Sequence, residues 1–451
     1  MVLCSCTAHR QFHTDFNFGP VGGPRGEGDE RVFEAHGKYL LAHVEFDDQG
    51  KYWETDLGRT AGGPVNQIEA LEAVVKADVA ARPARYRNGA VFVAYAHGWR
   101  HGARDGDSDL LHFRELLEGV ADEEQKGGKR PVIGVYLSWR GGRVDELRGT
   151  PVEKVAAPVL AVPAFLTYWD RKETAHHIGT HSFGETLTRL YELRNHVIRH
   201  GEGLEEDDQK RAKTRLIAVG HSFGGAALFS AVSRFFEDEL IRVETGEKKW
   251  IKRRWDLVLL VNPAFEALRY ETIHRYTARI DPAASSPYLH LPRMLVVSAG
   301  NDGANHFALP VGQTLGDLLR PKQRDNPRLN EEKQLTTALG FHDAFRTHRL
   351  IYDENPAPGK PRVQLEFDTK TLADRSAFAE ADYAPTRAQS YLRAFDPVFV
   401  DGKSPRRVLP FMVARTDDVR ILDGHTGIWR TPFRDFVIAF LAAREEAVRG
   451  L

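Results

Sequence analysis

A serine stands between two glycines at the point where an apolar run of the sequence ends. Residues 215–229 read Arg-Leu-Ile-Ala-Val-Gly-His-Ser-Phe-Gly-Gly-Ala-Ala-Leu-Phe, so Gly220, Ser222 and Gly224 form a G-x-S-x-G motif. Between a strand and a helix this motif is a nucleophile elbow, a sharp turn that exposes the serine hydroxyl. The glycines carry no side chain that would collide with strand or helix. The motif predicts that Ser222 is the attacking group of a serine hydrolase; the alternative is a serine that only caps the helix.

A serine hydroxyl needs a general base, and the base needs a carboxylate to orient it. In doubly wound hydrolases the acid and then the histidine follow the serine in the chain, each just past the carboxyl end of a strand. Asp302 follows the apolar segment 293–298, and His425 lies in a glycine-flanked loop before the last predicted helix. We therefore predict Asp302 as the acid and His425 as the base.

Other residues of the same types remain as alternatives. Asp302 stands in an Asn-Asp-Gly sequence that is also typical of a turn, and Glu266 follows the preceding predicted strand as a rival acid. The chain has 19 histidines, among which His342 and His348 are weaker rival bases. His306, four residues past Asp302, is expected to have a structural role or to lie at the rim.

An oxyanion hole needs two backbone N–H groups aimed at the oxygen that becomes negative. One is predicted at Phe223, directly after the serine. The second should follow the apolar strand 90–96, where the sequence continues His97-Gly98-Trp99. We predict the Trp99 N–H as the second donor, with the Gly98 N–H as the alternative, and a structural role for His97.

The net charge argues against a nucleic-acid partner, and the length of the apolar runs argues against a transmembrane segment. The chain of 451 residues has a formal net charge of −1, so it lacks the positive charge that binds nucleic acid. Its longest apolar run, residues 156–169, is shorter than the ~18 residues that span a bilayer. We expect neither a nucleic-acid partner nor a transmembrane segment. Run 156–169 is predicted to be either a pocket wall or a core helix.

Cysteines and acidic clusters predict no metal and no disulfide framework. The two cysteines are Cys4 and Cys6, at the start of the sequence. The acidic run 105–109 lacks the glycine and glutamate of a calcium loop, so it is predicted to cap a helix near Leu110. We expect a cytoplasmic protein. Leu3-Cys4-Ser5-Cys6 also resembles the end of a bacterial lipoprotein signal, in which case translation would start upstream and Cys6 would anchor the chain to the envelope.

Apolar strands alternate with amphipathic helices along the chain, which predicts an α/β fold with a doubly wound, mainly parallel sheet. Strands are predicted at 39–46, 90–96, 131–139, 216–219, 255–261, 294–298 and 408–414, and helices at 65–80, 110–120, 187–199 and 433–448. Residues 51–54 are predicted to pair with the first strand in a hairpin.

The domain organisation follows from the composition. Residues 1–35 are predicted to be a flexible lead-in, and residues 36–451 one hydrolase domain. Insertions at about 140–180 and 321–405 are expected around the rim of the sheet, with short strand-like pieces at 349–352 and 363–367.

The motifs together resemble the α/β-hydrolase superfamily, and most closely its esterase- and lipase-type members. The matching residues are His97-Gly98-Trp99, Leu137-Ser138-Trp139, Gly220–Gly225, Asn301-Asp302 and Gly424-His425. The resemblance spans about residues 88 to 445 and implies Ser222, Asp302 and His425 as the triad. It departs from the superfamily in the long 321–405 insertion and in lacking a recognisable lid motif.

The predicted activity is cleavage of a carboxylic ester, with a small-molecule or lipid-like substrate and no cofactor. The same triad would also cleave a thioester or an amide. A different class of function, a non-catalytic binding protein on a hydrolase scaffold, remains as an alternative because fold does not fix function. The sequence does not set the oligomeric state.

Overall fold

The computed structural model describes residues 10–16, 30–55, 63–141, 171–205, 212–280, 291–303, 331–356, 361–368, 398–400, 404–407 and 410–449. The chain divides into two compact units. The first comprises Met1–Ala231 with Arg254–Asp256, and the second comprises Val232–Arg253 with Leu257–Leu451.

The described part of the first unit has five strands in the order β1-β2-β4-β3-β5. The pairs β2–β4, β4–β3 and β3–β5 are parallel, and β1 is antiparallel to β2. The strands are β1 Phe33–Ala35, β2 Tyr39–Glu45, β3 Val91–Ala96, β4 Val132–Ser138 and β5 Arg215–His221. The helices are α1 Gln67–Ala81, α2 Ser108–Lys126, α3 Ser182–Val197 and the start of α4 Phe223–Glu244, with residues 171–179 also helical, a 3₁₀ turn at Pro83–Tyr86 and a π turn at Ile198–Glu202.

The central strands of this unit are buried along their whole length. Every residue of β3, β4 and β5 is buried, which explains why these segments read as continuous apolar runs. Helix α2 begins where the side chain of Asp107 accepts a hydrogen bond from the backbone N–H of Asp109, at 2.9 Å. The predicted capping role of the acidic run is confirmed.

The described residues of the second unit place five strands in one sheet, in the order β6-β7-β12-β8-β9, in which only β8 and β9 are antiparallel among the described pairs. The strands are β6 Leu257–Val261, β7 Met294–Ala299, β8 His348–Tyr352, β9 Val363–Phe367 and β12 Phe411–Thr416, with β10 Val398–Val400 and β11 Ser404–Arg407 as a separate antiparallel pair. The helices are α5 Glu271–Thr277, α6 Glu331–Thr336 and α7 Thr431–Arg449, with 3₁₀ turns at Ala267–Tyr270, Leu339–Phe341, Asp343–Phe345 and Gly427–Trp429.

The predicted fold class is confirmed, since mainly parallel strands alternate with helices in both units. The predicted hairpin is wrong beyond its first pair, because Phe46 and Tyr52 form an isolated bridge and no strand follows. The Asp47 side chain closes the turn by accepting from the backbone N–H groups of Gln49 and Lys51. The pairing stops after one bridge because the next backbone N–H of β2, that of Glu45, donates to the Gln67 side chain at 2.6 Å. The strand-like pieces of the 321–405 region extend the sheet of the second unit as β8 and β9.

Some predictions lie outside the described residues: the run 156–169, His306, Cys4 and Cys6. The domain boundaries stay predictions. Among the helices that the structure describes, none is long and apolar enough to cross a membrane.

Candidate active site

The elbow has the backbone geometry that the motif predicts. Strand β5 ends at His221, helix α4 begins at Phe223, and Ser222 between them has a φ of 55°. Holding a non-glycine residue in this left-handed conformation costs about 1–3 kcal/mol, and residues held in this way are concentrated at functional sites. Ser222 is 1% exposed, and its carbonyl accepts the first helical hydrogen bond of α4, from Ala226 N at 3.1 Å.

Glycines make this turn possible by allowing backbones to approach closely. A Cβ atom at Gly224 would overlap the carbonyl oxygens of Ala96 and His97 at the end of β3. A Cβ atom at Gly220 would lie 2.8 Å from the Gly224 oxygen, closer than real Cβ contacts. The sequence requirement for glycine at both positions is therefore steric.

The first predicted oxyanion donor is the backbone N–H of Phe223. This N–H lies at the N-terminus of the 22-residue helix α4, where the helix dipole favours negative charge. The Phe223 ring is fully buried and fixes the first turn of the helix in the core.

The loop after β3 is braced by His97, as predicted. Its Nδ1–H donates to the Gly98 carbonyl at 2.9 Å, and its Nε2 accepts from the Trp139 backbone N–H at 3.1 Å. Burial lowers the pKa of His97, so the ring stays neutral in this tautomer. The ring also stacks on Trp139, with centroids 5.8 Å apart and planes within 6°.

The same loop touches the elbow at Gly98. A Cβ atom there would lie 2.9 Å from the Ser222 Cβ and 3.1 Å from His221 Nδ1. The next residues are tied to the end of β4, since Arg100 N donates to the Gly141 carbonyl at 3.2 Å and Gly141 N donates to the His101 carbonyl at 3.1 Å. The structure therefore brings one predicted donor residue directly against the predicted nucleophile.

Trp99, the other predicted donor residue of this loop, is partly exposed. The Arg100 guanidinium lies 5.7 Å from the centre of its ring. Arg100 itself has a φ of 67°, so the loop that carries the predicted donors holds a second residue in the left-handed region.

The second unit brings the predicted acid and base together. Asp302 follows β7, His425 follows β12, and the His425 Nδ1 lies 2.8 Å from the Asp302 Oδ2. The carboxylate accepts from Nδ1–H, which leaves Nε2 as the proton acceptor of the ring. The Asp302 side chain is fully buried and that of His425 is 20% exposed. This is the orientation that a carboxylate gives to a general base.

Asn262, which sequence reasoning missed, holds the histidine loop. Its Nδ2 donates to the carbonyls of Gly424 and His425, at 3.1 and 2.9 Å, and its Oδ1 accepts from Ala299 N at 2.8 Å. Asn262 is fully buried and has a φ of 45°. The available signal was an asparagine directly after a buried strand, because asparagine tolerates the left-handed region.

Asn301 holds the other side of the same loop. Its Oδ1 accepts from the Gly424 backbone N–H at 2.8 Å, and its Nδ2 donates to Asp423 Oδ1 at 3.0 Å. Asn262 and Asn301 therefore both hold the backbone of the loop that carries His425. Each of the two asparagines follows a strand of the second unit.

The alternative acid and bases named from the sequence, Glu266, His342 and His348, make contacts of their own elsewhere in the second unit. Glu266 accepts from Arg269 Nε at 3.1 Å. His348 is fully buried in β8 and contacts the Thr347 hydroxyl at 2.7 Å, and burial lowers the pKa of His348 to about 3. His342 is buried against the ring of Phe345, with centroids 4.7 Å apart. The roles of Ser222, Asp302 and His425, and of the three donor residues, stay predictions.

Comparisons with known proteins give little similarity. No protein-family profile matches the chain, and no curated protein matches it. A solved structure with partial similarity is phospholipase PlaB from Legionella pneumophila in complex with thio-NAD, at 11% identity and a TM-score of 0.23. The match covers 61% of this chain and 48% of that one, so the chain spans about half the length of that protein. This TM-score is too low to assign an activity.

Proposed function

We propose that this chain is a serine hydrolase that cleaves a carboxylic ester through an acyl-enzyme on Ser222. The observation that carries the proposal is the buried Asp302 carboxylate 2.8 Å from His425 Nδ1. A carboxylate held in this way fixes the tautomer of a general base and stabilises the imidazolium that forms during catalysis. The left-handed backbone at Ser222, on a strand–helix turn, supports the choice of nucleophile.

In the proposed reaction, His425 Nε2 takes the proton of the Ser222 hydroxyl while Oγ forms a bond to the ester carbonyl carbon. The carbonyl electron pair moves to oxygen, which accepts hydrogen bonds from the N–H groups of Phe223 and Trp99, with Gly98 as the alternative to Trp99. The intermediate collapses as the bond to the alkoxy oxygen breaks, and the imidazolium protonates the leaving alcohol.

Water then completes the cycle by the same steps. His425 removes a proton from water, the hydroxide attacks the acyl carbon, and Ser222 leaves with the proton returned from the imidazolium. No step needs a cofactor. The substrate is proposed to be a small-molecule or lipid-like ester; a thioester or amide would follow the same route.

Labelling with a fluorophosphonate probe tests the proposal, because the probe reacts only with an activated serine. We expect the wild-type chain to be labelled and Ser222→Ala to remain unlabelled. A folded wild-type chain that takes up no label would overturn the proposal and favour a non-catalytic binding protein. A series of p-nitrophenyl esters, with thioester and anilide analogues, then identifies the bond and the acyl length preferred.

A further inference from the structure

The side chain of Asp109, in the first turn of α2, is a buried carboxylate close to the residue that precedes the predicted nucleophile. Asp109 is 3% exposed, and the Tyr95 hydroxyl donates to its Oδ2 at 2.9 Å. Burial and the negative charge of Asp109 raise the pKa of Tyr95 well above its usual value. Asp109 therefore lies in a site of low dielectric, where polar contacts between its carboxylate and nearby imidazoles are strong.

Two histidines from different segments approach this carboxylate. His221 Nδ1 lies 3.6 Å from Oδ2, and His101 Nε2 lies 3.6 Å from Oδ1. His221 directly precedes Ser222, whereas His101 follows the loop that carries the predicted oxyanion donors. One carboxylate thus faces both the segment of the predicted nucleophile and the segment of the predicted second donor.

The neighbouring Asp107 fastens the loop from its other side. Asp107 Oδ1 contacts His101 Nδ1 at 2.9 Å, and its Oδ2 accepts from the Gly102 backbone N–H at 3.1 Å. The His101 ring is therefore held between the two acidic residues at the start of α2. Gly98 packs so closely against Ser222 and His221 that a Cβ atom at this position would lie within 3.1 Å of both residues.

We propose that Asp109 is a positioning residue, which holds the His221 and His101 rings and so sets the distance between Ser222 and the oxyanion donors. The inference rests on the proposed serine hydrolase function. It predicts an effect on the transition state, because only there does the carbonyl oxygen carry the negative charge that the donors stabilise. Substrate binding in the ground state depends little on this distance.

The test is Asp109→Asn, a substitution that keeps the shape of the side chain and removes its charge. We expect kcat on a p-nitrophenyl ester to fall about 10- to 100-fold, with KM changed by less than about twofold, since a misplacement of 1 Å can cost about 100-fold. The rate of fluorophosphonate labelling should fall in parallel. A wild-type kcat in a folded Asp109→Asn variant would overturn the inference.

The matched control is Asp78→Asn in α1. Asp78 also accepts a hydrogen bond from a tyrosine hydroxyl, that of Tyr86 at 2.5 Å, but its other contacts are the exposed Arg82 and Arg85. This variant should be less stable than the wild type at unchanged kcat. A merely structural role of Asp109 would give the same result for both variants.

A double-mutant cycle shows whether Asp109 acts through the imidazole of His221. If it does, Asp109→Asn combined with His221→Gln will be no more than about twofold slower than His221→Gln alone, because residues acting as a unit are not additive. A second cycle with His101→Gln makes the same test for the other ring, and losses that are fully multiplicative in both cycles would overturn the inference. If Asp109→Asn does not fold, the Tyr95→Phe variant tests the proposal instead. This variant removes the hydroxyl that donates to Asp109 Oδ2, so the carboxylate is held less firmly and kcat should fall about threefold. An unchanged kcat in Tyr95→Phe would contradict the proposal.

The two proposals fail separately. An unlabelled wild-type chain refutes the hydrolase function, whatever Asp109 does. A wild-type chain that is labelled at Ser222, together with an Asp109→Asn variant labelled at the same rate, refutes the positioning role alone.

Discussion

The side-chain amide of Asn262 donates a hydrogen bond of 2.9 Å to the backbone carbonyl of His425. The same amide group reaches the Gly424 carbonyl, and the side-chain oxygen accepts from Ala299 at the end of β7. Asp302 follows this strand closely and accepts from the His425 ring. The imidazole is therefore fixed twice, through its ring by Asp302 and through its backbone by Asn262.

Asn262→Asp is predicted to reduce activity without unfolding the chain. Aspartate also tolerates the left-handed backbone, but its carboxylate would face two carbonyl oxygens and repel them. The histidine loop should move, and kcat/KM on a p-nitrophenyl ester should fall about 10- to 100-fold. The exposed Asn88, replaced by aspartate, serves as the control. Equal kinetics in both variants would contradict this role of Asn262.

Asp302→Asn is predicted to lower kcat about 10⁴-fold, because an asparagine amide favours the wrong imidazole tautomer at His425. Stopped assays at high enzyme concentration measure the residual rate. Glu266→Gln is the matched comparison, since Glu266 was the rival acid and contacts Arg269. A large loss in Glu266→Gln with near-normal turnover in Asp302→Asn would mean that the acid has been assigned wrongly.

The parts of the fold that sequence reasoning predicted are those with a strong local signal. Strands β3, β4 and β5 are buried throughout, so they read as apolar runs bounded by polar residues. The pairing of Asp302 with His425 was also predictable, since both follow strands and their order along the chain is that of a doubly wound hydrolase.

The parts that were missed depend on contacts between distant residues. The bonds of Asn262 join residues 162 and 163 positions apart, and no periodicity in the sequence encodes them. Asp109 reads as an ordinary residue of a helix start, and its burial beside Tyr95 and His221 appears only when β3 and β5 pair. Strands β8 and β9 are short and partly polar, so their addition to the sheet was not evident either.

His348 is predicted to make the fold less stable in acid. Burial lowers the pKa of His348 from 6.5 to about 3, so below pH 6.5 the unfolded chain binds a proton that the folded chain does not. The stability contributed by the neutral, buried ring is present above pH 6.5 and is lost as the pH falls toward 3.

Urea unfolding at several pH values measures this loss. Between pH 6.5 and 4.5 the wild-type chain should lose about 2 kcal/mol more stability than His348→Gln, at about 1.4 kcal/mol per pH unit over most of the range. The exposed His177, replaced by glutamine, is the control. A wild-type stability that falls with pH no more steeply than that of His348→Gln would show that this ring does not carry the effect.

Asp256 is predicted to be essential for the stability of the first unit. It is 1% exposed, lies 3.6 Å from Arg194 Nε and 3.7 Å from Arg215 Nε, and accepts from Leu216 N at 2.8 Å. Asp256→Asn removes the negative charge between two buried arginines, and breaking a buried ion pair costs about 3–5 kcal/mol. We expect the urea midpoint to fall accordingly, whereas Asp238→Asn, which removes an exposed partner of Arg242, should leave it unchanged. Similar midpoints for the two variants would mean that the arginines are compensated by other groups.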